Sequence, residues 1–171
     1  MVPLDGGTGS VEAEAELYAR LEAEDYAACE SSLYRFVLAA WHTIEPGTVF
    51  KPSFHHKVMC RALEAVTEGR ITRLCIGVPP GSSKSSICSV LWPCWSWVKN
   101  PSTRWLTGSH KHSLAKRDAV RSRRVMTSPW FQRAWGDRFK LTDDVNAADR
   151  YENDRTGYRI AFGMSAGATG E

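Results

Sequence analysis

Lys84 and Ser85 are the side chains whose surroundings most clearly suit a chemical task. They follow Leu74-Cys75-Ile76-Gly77-Val78-Pro79-Pro80-Gly81-Ser82-Ser83, a short apolar run that breaks at two prolines and enters a turn of small residues. An ammonium group and a hydroxyl delivered at the start of a new apolar segment suit phosphate chemistry. In that reading the loop from Pro80 to Ser83 cradles phosphates through the N–H groups of Gly81, Ser82 and Ser83. Lys84 neutralises the β/γ oxygens, and Ser85 holds Mg²⁺. The usual P-loop has glycine six residues before the lysine and directly before it. Here those places hold Val78 and Ser83, which leaves Gly81 as the residue free to take a positive φ. The plainer alternative is a strand-to-helix turn in which Ser82 or Ser83 caps the helix and Lys84 is solvated. A strand before the loop and a helix after it favour the phosphate reading.

The elements that must hold this loop can be read from periodicity. Leu33, Phe36, Val37, Ala40, Trp41 and Ile44 share one face of a helix over 31–44, opened by Ser31 or Ser32 as N-cap and stopped by Glu45-Pro46-Gly47. A second helix runs from near Ser53 to Gly69, with Val58, Met59, Ala62, Leu63 and Val66 inward. A buried strand is expected at 73–78, then the loop and a helix from near Lys84, which Pro93 should kink or shorten. Residues 104–108 read as a strand, 111–127 as a basic amphipathic helix and Ser128-Pro129 as the start of a short one. Segments 138–142 and 157–162 also read as strands. This alternation predicts an α/β fold with a largely parallel sheet.

Composition narrows the classes. The 171 residues suffice for one ordinary core plus extensions, and 43% hydrophobic with 24% charged residues is a globular balance. No apolar run reaches the roughly 18 residues of a membrane span, and no basic segment followed by an apolar core opens the chain. The cysteines (Cys29, Cys60, Cys75, Cys88, Cys94) are odd in number, lack CxxC spacing and sit in apolar segments, as small core residues of a cytosolic protein do. The first ten residues, with Gly6, Gly7 and Gly9, read as a disordered tail, and 11–29 as a helix with a thin apolar stripe. Residues 1–30 hold eight acids against Arg20, so a net charge of +3 conceals +10 on the remainder. A basic body suits a polyanionic partner, while the acidic leader is explained as well by solubility.

Further candidate groups are weaker. Asp143-Asp144 follow Phe139-Lys140-Leu141-Thr142, but Lys140 and Thr142 interrupt the apolar run of a buried parallel strand, so the pair is expected to begin a turn. His55 could contact a nucleotide base or simply pack beside Phe54. His56, His110 and His112 show no metal spacing. On the 111–127 helix, Leu114, Ala115, Ala119, Val125 and Met126 share one side and Lys116, Arg117, Arg121, Arg123 and Arg124 the other. Such a face is solvated, contacts a DNA backbone without reading bases, or lends one arginine to a neighbouring subunit's nucleotide. The seven tryptophans are expected in the core rather than as base-stacking platforms.

Several segments, in order, resemble the N-terminal ATPase part of the large terminase subunits of tailed bacteriophages. They are Phe36-Val37 with Ala40-Trp41 and Glu45-Pro46-Gly47; Phe54-His55 with Leu63-Glu64-Ala65-Val66 and Gly69; and Pro79-Pro80 through Lys84-Ser85 with Leu91-Trp92-Pro93 and Trp95. Arg104 through Ser109, Leu114, Arg117-Asp118, Ser128-Pro129-Trp130 and Trp135-Gly136-Asp137-Arg138-Phe139 follow. Arg150-Tyr151-Glu152-Asn153, Gly157-Tyr158-Arg159 and Ala168-Thr169-Gly170 close the series, which spans roughly residues 30–171. Relatives often have a basic residue where this chain has Gly81, and glycine where it has Ser83.

The resemblance implies a P-loop NTPase fold of the additional-strand, RecA/helicase-like type. Its parallel sheet would have flanking helices and be incomplete at the C-terminus, because the Walker B strand, the coupling motif and the nuclease follow later in the family. It divides the chain into an acidic, partly disordered leader (1–30), a helical segment (31–70) and a partial ATPase core (71–171). The implied cofactors are ATP and Mg²⁺, and the implied activity is ATP-driven packaging of double-stranded DNA into procapsids. A homo-oligomeric ring, the portal and the small terminase subunit would be partners in the host cytoplasm, with no membrane. A chain ending before Walker B is expected to bind ATP at most. Two other readings stay open: a helicase-like DNA-dependent ATPase, and a non-catalytic basic DNA-binding module with a degenerate P-loop.

Overall fold

Helices with one strongly apolar face need a common core, and here they share one. The computed structural model of the protein describes residues 8–164, with side chains from residue 13. In it α1 is Thr8–Ser31, α2 Leu33–Ile44, α3 Phe54–Thr67, α4 Trp92–Lys99, α5 His112–Thr127 and α6 Pro129–Trp135. Helix α1 takes in residues 8–10, which the sequence assigns to a tail; residues 1–7, and the Ala168-Thr169-Gly170 element, lie outside the described residues. Most of α1 is exposed, as its thin apolar stripe requires, and its last turns are what bind it to the body. The Trp95 indole N–H donates to the Cys29 carbonyl at 3.0 Å, and Arg138 grips the Glu30 carboxylate at 2.6 and 3.0 Å. Those hydrogen bonds hold the Glu30 carboxyl below the usual carboxylate range.

Helix α2 buries Leu33, Phe36, Val37, Ala40 and Trp41, the face its spacing predicts. Ser32 stands at its N-cap but makes no capping bond with its side chain. The Glu64 carboxylate on α3 does so instead, accepting from the Leu33 N–H at 2.6 Å and from the Ser32 hydroxyl at 3.2 Å. Phe36 meets Trp130, Phe131 and Trp135, and Trp97 meets Phe139 and Tyr151, so the helices and the sheet share one aromatic core. Of the tryptophans, Trp41, Trp95, Trp97 and Trp135 are buried and the other three half-buried.

The sheet has four strands in the order β1-β4-β3-β2: β1 Trp105–Ser109, β2 Leu141–Asn146, β3 Arg150–Asn153 and β4 Tyr158–Gly163. Only β1 and β4 are parallel, whereas β2–β3 and β3–β4 are antiparallel. The fold is therefore α/β with a mixed sheet, not the largely parallel one expected. The cause is local: β2, β3 and β4 follow one another through short connections, and such connections make hairpins, whereas a parallel step needs a crossover such as α5. Gly108 on β1 has a physical role, since a Cβ there would stand 3.0 Å from the Phe162 ring on β4.

Three expectations fail here. Residues 73–78 form no strand, and Leu74 and Cys75 are exposed. A strand exists through its ladder, and among the described residues none pairs with this segment. Its apolar composition thus misleads, and Cys75 is not the core residue expected, although Cys29, Cys60 and Cys94 are buried. Asp143 and Asp144 do not begin a turn. Both lie on the outermost strand β2, exposed, beside an irregularity between Leu141 and Asn146 that accounts for the broken apolar pattern.

Candidate functional site: the turn before Lys84

The loop at 79–83 closes on itself before the helix begins. The Ser82 hydroxyl donates to the Pro79 carbonyl at 2.7 Å, and the Ser83 carbonyl accepts the first helical bond, from the Ile87 N–H at 3.0 Å. Gly81 has φ +81°, as expected for the one glycine of the loop, but Ser83 is also left-handed at φ +57°. That conformation costs a non-glycine residue about 1–2 kcal/mol and is held by the surrounding structure. The serine standing where the usual motif has glycine therefore adopts the backbone glycine would take.

A continuous helical stretch then runs from Lys84 to Lys99. Its first N–H groups have no carbonyl one turn back to bind, so they remain donors at a positive helix end. Lys84 and Ser85 are both exposed there, and among the described residues neither side chain makes a hydrogen bond or salt bridge. Residues 78–86, with Trp41 and Glu45 from the end of α2, line a cleft of about 420 Å³. On the other side of Lys84 and Ser85 lies a second cleft of about 360 Å³, walled by Leu63, Val66, Leu74, Ile76, Cys88 and Trp92. Burial pushes the Cys88 thiol up to about 11, against the opposing charge of Lys84, so it is no nucleophile near neutral pH.

The helix is not regular. Ser86–Leu91 is π-helical, and the Trp92 N–H reaches back to the Ile87 carbonyl. Pro93 explains the departure, because it has no N–H for the Ser89 carbonyl, its partner in α register. Arg159 on β4 supplies the missing donor: its Nη2 bonds that carbonyl at 2.6 Å and its Nη1 bonds the Ser122 hydroxyl at 2.5 Å. Ser122 in turn donates to the Val90 carbonyl at 2.8 Å. Arg159 is 1% exposed, and among the described residues no carboxylate pairs with it. Pro93 thus changes the winding just before it rather than ending the helix.

The basic face of α5 is divided among several tasks. Arg121 turns from it to the edge of the cleft, where it bonds two lining residues with its side chain 17% exposed: Nη2 bonds Glu45 at 2.5 Å and Nη1 bonds the Ser86 hydroxyl at 3.4 Å. Arg123 donates to the Asn146 side chain and to the Asn146 and Ala147 carbonyls. Arg117 pairs with Asp118, a buried acid on the opposite side of the predicted stripe. Lys116 and Arg124 are exposed and, among the described residues, unpaired.

His55 is half-buried and stacked on His56, with ring centroids 3.9 Å apart. His56 is the histidine beside the loop. It is 5% exposed, and its Nδ1 accepts from the Ser53 N–H at 3.0 Å. Burial, then the neighbouring His55, lower its pKa, against an opposing pull from the Ser82 backbone. Among the described residues, its Nε2 and the Trp41 Nε1 are buried without a hydrogen-bond partner. Sequence reasoning placed Pro80 to Ser85 together, as the structure does. It missed Glu45, Trp41 and His56 as neighbours of the loop and read Arg121 as part of an outward face. The stop signal Glu45-Pro46-Gly47 was the available clue, because a helix ending there leaves its last acid at the mouth of the cleft. Compared with protein-family models, with curated proteins and with solved structures, the chain gives no match in any of the three.

Proposed function

We propose that the chain is the nucleotide-binding part of a P-loop ATPase of the terminase large-subunit kind, a motor that moves double-stranded DNA into procapsids in the host cytoplasm. The observation that carries the reading is the turn at 79–83. It is closed by Ser82, left-handed at Gly81 and Ser83, and delivers a lysine and a hydroxyl, both unpaired among the described residues, to a helix start that lines a cleft.

The residues present fit Mg-ATP. Lys84 would meet the β/γ oxygens, the N–H groups of residues 81–85 the phosphate shell, and the Ser85 hydroxyl the Mg²⁺. When bound, the metal would neutralise charge on the phosphates. Hydrolysis also needs an acid to support the metal and a group to orient water. Glu45 is the carboxylate lining the cleft, and Arg121 holds it; Asp143 and Asp144 do not line it. Among the described residues, the share of the motor's work that the cleft supports is therefore phosphate binding. The test is calorimetric titration with Mg-ATP, with AMP as control. Binding of Mg-ATP well above AMP is expected, and no binding of Mg-ATP, or equal affinity for AMP, overturns the reading.

Duplex DNA would meet the remainder of the basic face, where Lys116, Arg117 and Arg124 stay exposed. With about three phosphate contacts, the slope of log K against log salt should be near −3. A slope close to zero in a duplex-binding titration would assign the face to solvation.

No helix of the described residues is long and apolar enough to cross a membrane.

A further inference from the structure

We propose that Arg121 is a phosphate-sensing residue at the edge of the cleft: Glu45 holds it, and gives it up to the terminal phosphate of a bound nucleoside triphosphate. The inference rests on the nucleotide reading above and names a residue and an exchange that the reading does not contain.

Three observations converge on Arg121. First, its guanidinium bonds the hydroxyl of Ser86, two residues beyond Lys84, so it already stands at the helix end that the phosphates would approach. Second, its backbone is fixed. The next residue, Ser122, is fully buried and bonds both the Val90 carbonyl and Arg159, which ties α5 to the π-helical segment and leaves only the Arg121 side chain to move. Third, its partner is the weak side of the pair. Glu45 is 45% exposed, lines the cleft and carries a single charge. A half-solvated ion pair contributes little, whereas a terminal phosphate offers more charge and matches the guanidinium fork.

Glu45 itself opposes any anion entering the cleft. Paired with Arg121, its charge is offset, which leaves Lys84 to set the sign of the cleft. Once the guanidinium turns to phosphate, the carboxylate is free to swing to water, for which its exposure leaves room. The buried Trp41, 8% exposed and with an Nε1 unpartnered among the described residues, walls the same cleft.

The two partners should therefore act on binding with opposite signs. Arg121→Ala is expected to weaken Mg-ATP binding about 10- to 100-fold, the loss of a charged hydrogen-bonding group. Its effect on Mg-ADP should be much smaller. Glu45→Gln breaks the same ion pair but is expected to tighten Mg-ATP binding about threefold to tenfold, because it removes a like charge facing the phosphates. Arg121→Lys, which keeps the charge and loses the fork, should fall between wild type and Arg121→Ala.

Titration calorimetry of these variants with Mg-ATP and Mg-ADP, with the folded state of each checked by circular dichroism, tests the exchange. If both substitutions shift affinity the same way, the ion pair merely shapes the cleft and the proposal is wrong. Equal losses for ATP and ADP overturn the assignment to the terminal phosphate. Glu45→Gln is nearly isosteric at a half-exposed site, so the sign of its effect remains measurable even if Arg121→Ala fails to fold. Binding that depends on Lys84 but ignores Arg121 and Glu45 removes this inference and leaves the nucleotide reading standing. A wild type that binds no Mg-ATP removes both.

Discussion

Arg159→Ala is expected to destabilise the fold by about 2–5 kcal/mol, from the loss of two buried hydrogen bonds of a charged group and the cavity it leaves. The guanidinium is 1% exposed and makes two short bonds that nothing else replaces. Without it the half-buried Ser89 carbonyl, already deprived of a helical partner by Pro93, loses its donor, at about 1–3 kcal/mol. The space left beside Trp97, Trp105, Met126 and Tyr151 adds a cavity cost. Arg159→Met separates the two contributions, because it fills most of the volume and removes the charge, and it should cost about 1–3 kcal/mol. Urea denaturation followed by tryptophan fluorescence measures both. A loss below about 1 kcal/mol for the alanine variant would mean that water takes over both bonds and that the network is not what fixes the π-helical segment. Tyr151 reports the same burial, since desolvation pushes its phenol up to about 12 despite the nearby positive charge.

Lys84→Ala is expected to do the reverse, sparing stability and removing binding. The lysine is exposed and, among the described residues, makes no hydrogen bond or ion pair, so the fold should change by less than about 0.5 kcal/mol. Affinity for Mg-ATP should fall about 10- to 100-fold, the value of a charge-assisted bond of about 1.5–3 kcal/mol to a phosphate oxygen. The loop N–H groups would persist in the variant and retain weak phosphate binding. Parallel calorimetry and thermal unfolding check both halves. Unchanged affinity in a chain that binds Mg-ATP would return Lys84 to the role of a solvated residue beyond a capped turn.

Much of this site is legible in the sequence, for reasons that differ from residue to residue. The helices over 31–44, 53–69 and 111–127 are legible because each writes a long apolar stripe at helical period, and the structure places them within a few residues of those bounds. The loop from Pro80 to Ser85 is legible because proline and small residues punctuate the chain strongly. Residues 73–78 are not, since an apolar run specifies burial and the ladder must come from a partner. The left-handed Ser83 is hidden because serine gives no warning of positive φ. Arg121 is hidden for another reason. Its position on the α5 wheel is basic and peripheral, and only the packing of that helix against the π-helical segment turns it inward. The hairpin through β2 and β3 is only partly legible because Asp143 and Asp144 look like turn residues, and an exposed edge strand tolerates them.

The π-helical segment divides one rod into two phases. Bonding to the fifth residue instead of the fourth inserts about one extra residue, a slip of about 100° around the axis. Upstream of the slip, Lys84 and Ser85 face the clefts; downstream, Trp95, Trp97 and Val98 face the core. A uniform α-helix through the same residues could keep only one of these orientations. The widened turn therefore works as a fixed offset coupling between a chemical end and a structural end, and Arg159 is the pin that sets its angle.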